Sequence, residues 1–327
     1  MPVDLILLCG FLGSGKTSLL VDFLQGESAA DTGVIVNEVG EIGVDGAIVA
    51  NDSDNVPMTL LANGCVCCSL RSDLVYTLGA LLDAPRPEGA GPLTRIILET
   101  SGISRPGPII ASLADPDLAR RQLRLSVVCT DDCSRDGDAL LEYDEAIAQF
   151  AAAHRIVLTK TDLIDGHTRR ARAERAGKLN PLAQVIARAD RRQAVQEAFA
   201  PAPAGSQDIA GLALKALFDG RKPALDHPRL RVIAAVARTP LSWTDFSEWL
   251  DDLAGLCGER LLRLKAIVRV SDSAEPILIQ SVGTTFSAPM RLVRQPDAQP
   301  AIVVIARDIG AAEIRAMAPD APIDIMD

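Results

Sequence analysis

Gly10-Phe11-Leu12-Gly13-Ser14-Gly15-Lys16-Thr17 reads GFLGSGKT and fits the G-x-x-x-x-G-K-[ST] phosphate loop. Glycines let the backbone curl until successive N–H groups point at phosphate oxygens, and a helix starting there adds its dipole. In that arrangement Gly10, Gly13, Ser14 and Gly15 line the phosphates, with Ser18 at the helix start. Lys16 reaches the β- and γ-phosphates, and the Thr17 hydroxyl holds Mg²⁺. A glycine-rich turn that binds nothing has a similar composition. The flanks favour the phosphate loop: Val3 to Cys9 is a short apolar run, and Leu19, Leu20 and Phe23 recur at helical spacing.

Three further groups carry chemistry. Ile96-Ile97-Leu98-Glu99 ends a strand-like run in a carboxylate and leads into Thr100-Ser101-Gly102. Beside a phosphate loop, a carboxylate in that place holds Mg²⁺ or its water, so Glu99 joins Lys16 as a catalytic candidate. Thr159-Lys160-Thr161-Asp162 follows another strand-like run. An Asp there accepts the guanine N1–H and N2–H₂ pair that adenine lacks, and the lysine stem covers the ring. Thr159 stands where an asparagine is usual in GTPases, and its hydroxyl can take over part of the amide's bracing role.

Cys65, Cys67 and Cys68 lie within four residues. Thiolates are soft ligands for Zn²⁺ or Cu(I), and three of them leave a tetrahedral position open, as suits a metal that is passed on. The C-x-x-C spacing of Cys65 and Cys68 also fits a redox pair. Upstream runs NEVGEIGVDG, Asn37 to Gly46, in which Glu38, Glu41 and Asp45 are set among glycines. That composition suits a switch segment, with Glu41 the candidate fourth metal ligand; a solvated acidic loop is the competing reading.

The elements that position these groups are legible as alternation. Thr32 to Asn37, Leu93 to Glu99, Leu123 to Thr130 and Arg155 to Thr159 are continuous apolar runs, as in strands buried on both faces. Helical candidates at 70–83, 106–114, 138–153 and 169–179 lie between them. The expectation is an α/β fold: a doubly wound, mostly parallel sheet over 1–200, with ligands at the strands' carboxyl ends. Pro, Ala, Gly and Ser crowd the stretch after Ala200, giving a linker over 201–226. A smaller α+β domain follows over 227–327, with strands at 230–237, 261–270, 276–282 and 301–306. Its helices fall at 243–256, capped by Ser242 or Thr244, and at 311–317.

The 327 residues are 48% hydrophobic, enough for two cores, and the formal net charge of −10 argues against nucleic acid or an anionic membrane as partner. No apolar stretch approaches the ~20 residues that span a bilayer, and no signal peptide is read. Seven cysteines, three of them crowded, suit a reducing compartment rather than a disulfide framework. The expected location is the cytoplasm.

GFLGSGKT, NEVGEIGVDG, GCVCC, ETSG and TKTD, in this order, resemble the CobW-type GTPases, which stand with the urease and hydrogenase maturation GTPases among SIMIBI-class phosphate-loop proteins. LNPLAQVI and, more weakly, RLKAIVRV extend the likeness over most of the chain. The resemblance implies slow GTP hydrolysis coupled to delivery of Zn²⁺, Co²⁺ or another transition metal to a client protein; a monomer or weak homo-oligomer is expected. It implies Cys65, Cys67 and Cys68 as metal ligands, Gly13 to Thr17 as the phosphate site, and Lys160 and Asp162 at the base. Ala266 departs from a family glycine. His154, His167 and His227 are scattered, so no histidine-rich metal tract is present. Two other classes fit the same motifs: an ATPase or small-molecule kinase with structural cysteines, and a metal-storing or metal-sensing module without useful hydrolysis.

Overall fold

A computed structural model describes residues 3–26, 31–36, 58–60, 69–86, 91–113, 115–121, 123–135, 142–201, 229–238, 241–293 and 296–326. The chain divides into two compact units, Met1–Ala176 with Ala183–Ala202, and Gly177–Leu182 with Pro203–Asp327.

The first unit is built on seven strands: β1 (Asp4–Gly10), β2 (Thr32–Val36), β3 (Met58–Leu60), β4 (Arg95–Glu99), β5 (Arg124–Asp132), β6 (Arg155–Thr159) and β7 (Gln184–Ile186). They run in the order β3-β2-β4-β1-β5-β6-β7, and every pairing is parallel. The helices are α1 (Lys16–Leu24), α2 (Ser69–Asp83), α3 (Pro106–Ser112), α4 (Pro116–Ala119), α5 (Asp144–Ala152), α6 (Gly166–Leu179) and α7 (Arg191–Ala198).

Helices cover both faces of the sheet, which is why its strands read as unbroken apolar runs. On one face Ile6, Leu8, Val34, Val36, Ile97, Val128 and Val157 pack with Leu19, Leu20 and Phe23 of α1 and Val195 of α7. The Phe23 and Phe199 rings meet there at 4.6 Å. Leu5 and Leu7 alternate to the other face, where α5 brings buried Ile147 and Phe150. Each fully buried Leu, Ile or Phe stabilises by roughly 1.5–3 kcal/mol.

Strand order sets the site. β1 is central, with β4 and β5 on either side and β6 beyond. In register Leu8 pairs with Glu99, Gly10 with Thr130, and Asp132 with Thr159, so the carboxyl ends of four strands open onto one edge.

The second unit is a sheet with helices. β8 (Leu230–Ala237), β9 (Leu261–Val268), β10 (Ile277–Val282), β11 (Thr285–Phe286), β13 (Ala301–Arg307) and β14 (Ile323–Met326) run β11-β10-β9-β13-β8-β14, and β12 (Met290–Arg291) pairs with β10. All pairings are antiparallel. α8 (Trp243–Cys257) begins at a capping box: Asp245 N donates to Ser242 Oγ at 3.0 Å, and Ser242 N to Asp245 Oδ2 at 3.3 Å. Ser242 is thus the cap, not Thr244. Phe246, Trp249, Leu250 and Leu253, at three- and four-residue spacing, bury against Ala235, Leu264, Ala266, Ile302 and Val304. α9 (Ala311–Met317) adds Ile314 to this core.

Several expectations shift. The strand expected at 261–270 ends at Val268, and β5 runs to Asp132, two residues past Thr130. α7 and β14 were not anticipated: α7 is polar outside Ala194, Val195 and Ala198, and β14 is four residues long. The expected linker at 201–226 falls, from residue 202 on, outside the described residues.

Candidate nucleotide site

β1 delivers the chain into the loop with no room to spare. Gly10 has φ +144°, and a Cβ there would stand 2.2 Å from Thr130 Oγ1 and 2.6 Å from Ser14 Oγ. Only glycine makes that bend against β5. Ser14 Oγ and Thr130 Oγ1 hydrogen-bond at 2.6 Å, pinning the loop to β5. Gly15 (φ +89°) precedes α1 with no side-chain cap, so the helix's first N–H groups face the loop rather than a capping oxygen. Lys16 is buried and donates from Nζ to Gly10 O at 3.0 Å and Phe11 O at 3.4 Å. Ser18 is exposed on the outer side of the same turn.

Glu99 lies where the sequence puts it, buried at the end of β4, the strand next to β1. Thr17 Oγ1 donates to Glu99 Oε1 at 2.7 Å. The pair presents two hard oxygen donors beside the loop, a set suited to Mg²⁺.

At the ends of β5 and β6, Thr159 Oγ1 lies 2.7 Å from Ser14 O and 3.1 Å from Asp131 O. The hydroxyl spans the phosphate loop and the end of β5, the bracing role expected of it. Lys160 takes a left-handed conformation (φ +52°) that turns the chain into a short 3₁₀ turn, Thr161–Leu163, on which Asp162 is exposed.

The sequence reading missed Asp132. Its side chain is 1% exposed, and its Oδ2 accepts Lys160 Nζ at 2.6 Å while its Oδ1 accepts Ser134 N at 3.0 Å and Ser134 Oγ at 2.5 Å. Burial pushes this carboxyl up, but the hydrogen bonds from Lys160 and Ser134 outweigh it and hold it below its usual range. Asp131, buried without such donors, is pushed up to about 6, with Arg175 and Arg172 opposing the rise. The available signal was the carboxylate pair Asp131-Asp132 closing a strand beside the phosphate loop.

His154 and the buried thiols of the described residues serve the core. His154 Nδ1 accepts Val127 N at 3.0 Å. Cys133 Sγ donates to Thr159 O at 2.8 Å, and burial first, then Asp131, pushes its thiol up to about 11. Cys129 is raised by its hydrogen bond with Cys9 and by burial. Burial thus favours the neutral thiol at both positions. Among the described residues no cluster of three or more His, Cys, Asp or Glu could hold a metal ion. Cys65, Cys67, Cys68 and Glu41, with Glu38 and Asp45, lie outside the described residues.

The profile described as "CobW/HypB/UreG, nucleotide-binding domain" matches residues 4–187. The chain belongs to this family. Residues 230–318 match the "Cobalamin synthesis protein cobW C-terminal domain". Among curated relatives, "Zinc chaperone YjiA" of Escherichia coli (strain K12) is 28% identical over 304 residues, covering 88% of each chain. "Zinc chaperone CobW" of Sinorhizobium sp is 28% identical over 307 residues, covering 84% of this chain and 83% of the relative. The crystal structure of Zn(II)-bound YjiA GTPase from E. coli superposes with a TM-score of 0.65 at 21% identity, covering 98% and 99% of the two chains. That likeness carries the fold of this family member. Among the described residues no helix is long and apolar enough to cross a membrane.

Proposed function

We propose that this chain is a GTP-dependent metallochaperone. It takes a transition metal, Zn²⁺ or Co²⁺, as cargo on Cys65, Cys67 and Cys68, with Glu41 as fourth ligand, and passes it to a client protein in the cytoplasm while hydrolysing GTP slowly. The names of its relatives favour zinc. The protein then works as a phosphate-loop domain over 1–200, a linker over 201–226 and a C-terminal domain over 227–327, as a monomer or weak homo-oligomer.

One observation carries this reading. Val36 pairs in register with Glu99 on one side and with Leu60 on the other. The chain therefore continues into Asn37 at the same sheet edge where Glu99 meets Thr17, and β3 leads into the cysteines from that edge too. In this reading GTP acts on 37–46 and through it on the thiols that follow β3, as γ-phosphate contacts act on switch segments. Metal must in turn alter GTP affinity by the factor that GTP alters metal affinity.

The chain's own groups divide the work. Backbone N–H groups from Gly13 to Thr17 hold the phosphates, and Lys16 offsets charge on the β- and γ-phosphates. The Thr17 hydroxyl and the Glu99 carboxylate would hold Mg²⁺, which when bound neutralises charge developing on the phosphates. Glu99 or a carboxylate of the 37–46 segment orders the attacking water. Asp162 accepts the guanine N1–H and N2–H₂ pair, and the Lys160 stem covers the ring.

Metal analysis of anaerobically purified protein, with GDP and with a non-hydrolysable GTP analogue, tests the proposal beside a variant carrying Ala at 65, 67 and 68. About one metal per chain is expected, lost in the variant and bound with different affinity under the two nucleotides. Equal affinities under both nucleotides remove the coupling. Equal displacement of GTP by ATP returns the chain to the ATPase or kinase class. Client loading that survives Lys16→Ala returns it to a storage or sensing module.

A further inference from the structure

Arg135 lies on the phosphate loop from outside. Its Nη1 donates to Leu12 O at 2.8 Å, and its Nη2 is 2.7 Å from where a Cβ on Gly13 would stand. Gly13 has φ +72°, and its bare Cα leaves the guanidinium room to lie against the backbone. No motif in the sequence points to this arginine.

Asp132 sets its place. The Ser134 N and Oγ bonds to Asp132 Oδ1 close a tight turn after β5, and Arg135 N donates to Asp132 O at 3.2 Å. The turn carries the Arg135 side chain back so that Nε lies 3.2 Å from Asp132 Oδ2. From α6, Arg172 Nη2 donates to Arg135 O at 2.9 Å and fixes the backbone behind it.

The same Oδ2 accepts Lys160 Nζ at 2.6 Å. One buried carboxylate oxygen thus holds two cations with different duties. Lys160 sits on the turn assigned to the base, and Arg135 lies against the phosphate loop. Charge-assisted bonds to a desolvated carboxylate are stronger and geometrically tighter than exposed ones. Thr159 adds a second tie between the same two regions through Ser14 O.

We propose that Asp132 and Arg135 form a latch on the nucleotide site, in which Asp132 joins base-side Lys160 to loop-side Arg135 and makes Arg135 a positioning residue for retention of a guanine nucleoside di- or triphosphate. The latch deepens the functional reading above and rests on its assignment of Lys160 and Asp162 to guanine. Its consequence is a shared response. Loss of Arg135 frees only the loop, so every nucleotide leaves faster whatever its base. Loss of the Asp132 charge frees the loop and the lysine together, so retention and base preference fall at once.

The test is stopped-flow dissociation of a fluorescent GDP and a fluorescent ADP from the full-length protein. Arg135→Gln should speed GDP release by about tenfold, the size of one charge-assisted hydrogen bond, and leave the GDP-over-ADP preference intact. Arg135→Lys, which cannot fork between Leu12 O and Asp132, should fall between. Asp132→Asn should speed release at least as much and also erode the preference. The double variant should release GDP no faster than Asp132→Asn alone. The nucleotide-free melting temperature of Arg135→Gln should match wild type, since the side chain is 46% exposed. GDP release from Arg135→Gln within twofold of wild type overturns the latch. So do independent effects in the double variant, or a fall in melting temperature that tracks the faster release. A wild-type protein that holds ADP as well as GDP overturns the base assignment instead, and the Arg135→Gln release rate then tests the latch separately.

Discussion

The Thr17 hydroxyl donates to the Glu99 carboxylate at 2.7 Å, joining the first turn of α1 to the end of β4. These residues are 82 positions apart in sequence, and β4 lies next to β1, the strand that leads into α1. Both oxygens stand beside the glycine-rich loop, so the join brings together an oxygen from each of the two elements that flank it. A helix start and a strand end move little relative to one another in a packed parallel sheet. The pair is therefore pre-positioned, and nucleotide binding need not assemble it.

Glu99→Gln keeps the shape and the hydrogen bond but removes the charge. Hydrolysis of GTP, followed by phosphate release, should fall about a hundredfold, the range for losing one preorganised electrostatic group. GDP affinity should stay within a few-fold, because the loop N–H groups and Lys16 are untouched. A Glu99→Gln protein that hydrolyses GTP at the wild-type rate takes Glu99 out of the reaction.

Thr159 is tested by which replacement it accepts. Its single hydroxyl hydrogen goes to Ser14 O at 2.7 Å, with Asp131 O alongside at 3.1 Å, and Thr159→Ala removes that tie from a part-buried position. GDP affinity should drop by about tenfold, as expected for one lost hydrogen bond that leaves a carbonyl unpartnered. Thr159→Asn restores an N–H donor at the same place and should recover most of the affinity. Calorimetric titration with GDP reads both. Loss with Asn equal to loss with Ala means that the brace needs the shape of threonine, not a donor.

The phosphate loop, Glu99 and the parallel sheet were legible because each leaves a local trace. Gly10 and Gly15 mark backbone that other residues resist, and apolar runs such as Ile96–Leu98 mark strands covered on both sides. The helix of Ala311–Met317 and the strand of Leu230–Ala237 match the expected limits for the same reason. Arg135 left no such trace, and Asp132 left only the acidic pair that ends β5. Their roles arise from register, which sets Asp132 opposite Thr159, and from a side chain that reaches back to Leu12, 123 residues upstream. α7 was missed because its apolar positions, Ala194, Val195 and Ala198, are small and few, and what buries them is the sheet packing. Strand ends shifted where pairing, not composition, decides: β5 continues to Asp132 because β6 lies alongside it.

Gly102 follows Glu99 at a point of contact with the loop. A Cβ there would stand 2.7 Å from Leu12 N and 2.8 Å from Leu12 Cα, both backbone atoms that cannot swing aside. Behind it, Gln149 Nε2 donates to Gly102 O at 3.0 Å and Ser104 O at 2.9 Å, so the segment cannot retreat freely. Gly102→Ala should cost about 1–3 kcal/mol as an overpacked site and displace the phosphate loop. Nucleotide affinity and melting temperature should fall together. Gly102→Ala with wild-type GDP affinity places the strain somewhere other than the loop.

Lys265 gives the C-terminal unit a pH signature. It lies on β9 two residues from Arg263; burial first, then the Arg263 charge, pushes its amine down to about 8 from 10.5. Below pH 8 the amine is protonated folded and unfolded, and the fold bears the full cost of burying it. As pH rises from 8 the native state loses the proton first, the unfolded chain binds more protons, and stability climbs until about 10.5. The fall from 10.5 to about 8 corresponds to roughly 3 kcal/mol. Lys265→Met removes the charge and keeps the stem, so it should raise stability at pH 7 and flatten the climb above pH 8. The chain's two tryptophans, Trp243 and Trp249, both lie on α8, so tryptophan fluorescence during urea unfolding follows this unit. A wild-type midpoint that stays level or falls between pH 8 and 10 shows that the amine keeps its ordinary affinity for protons. The cost of its burial must then be met by hydrogen bonds that hold it charged.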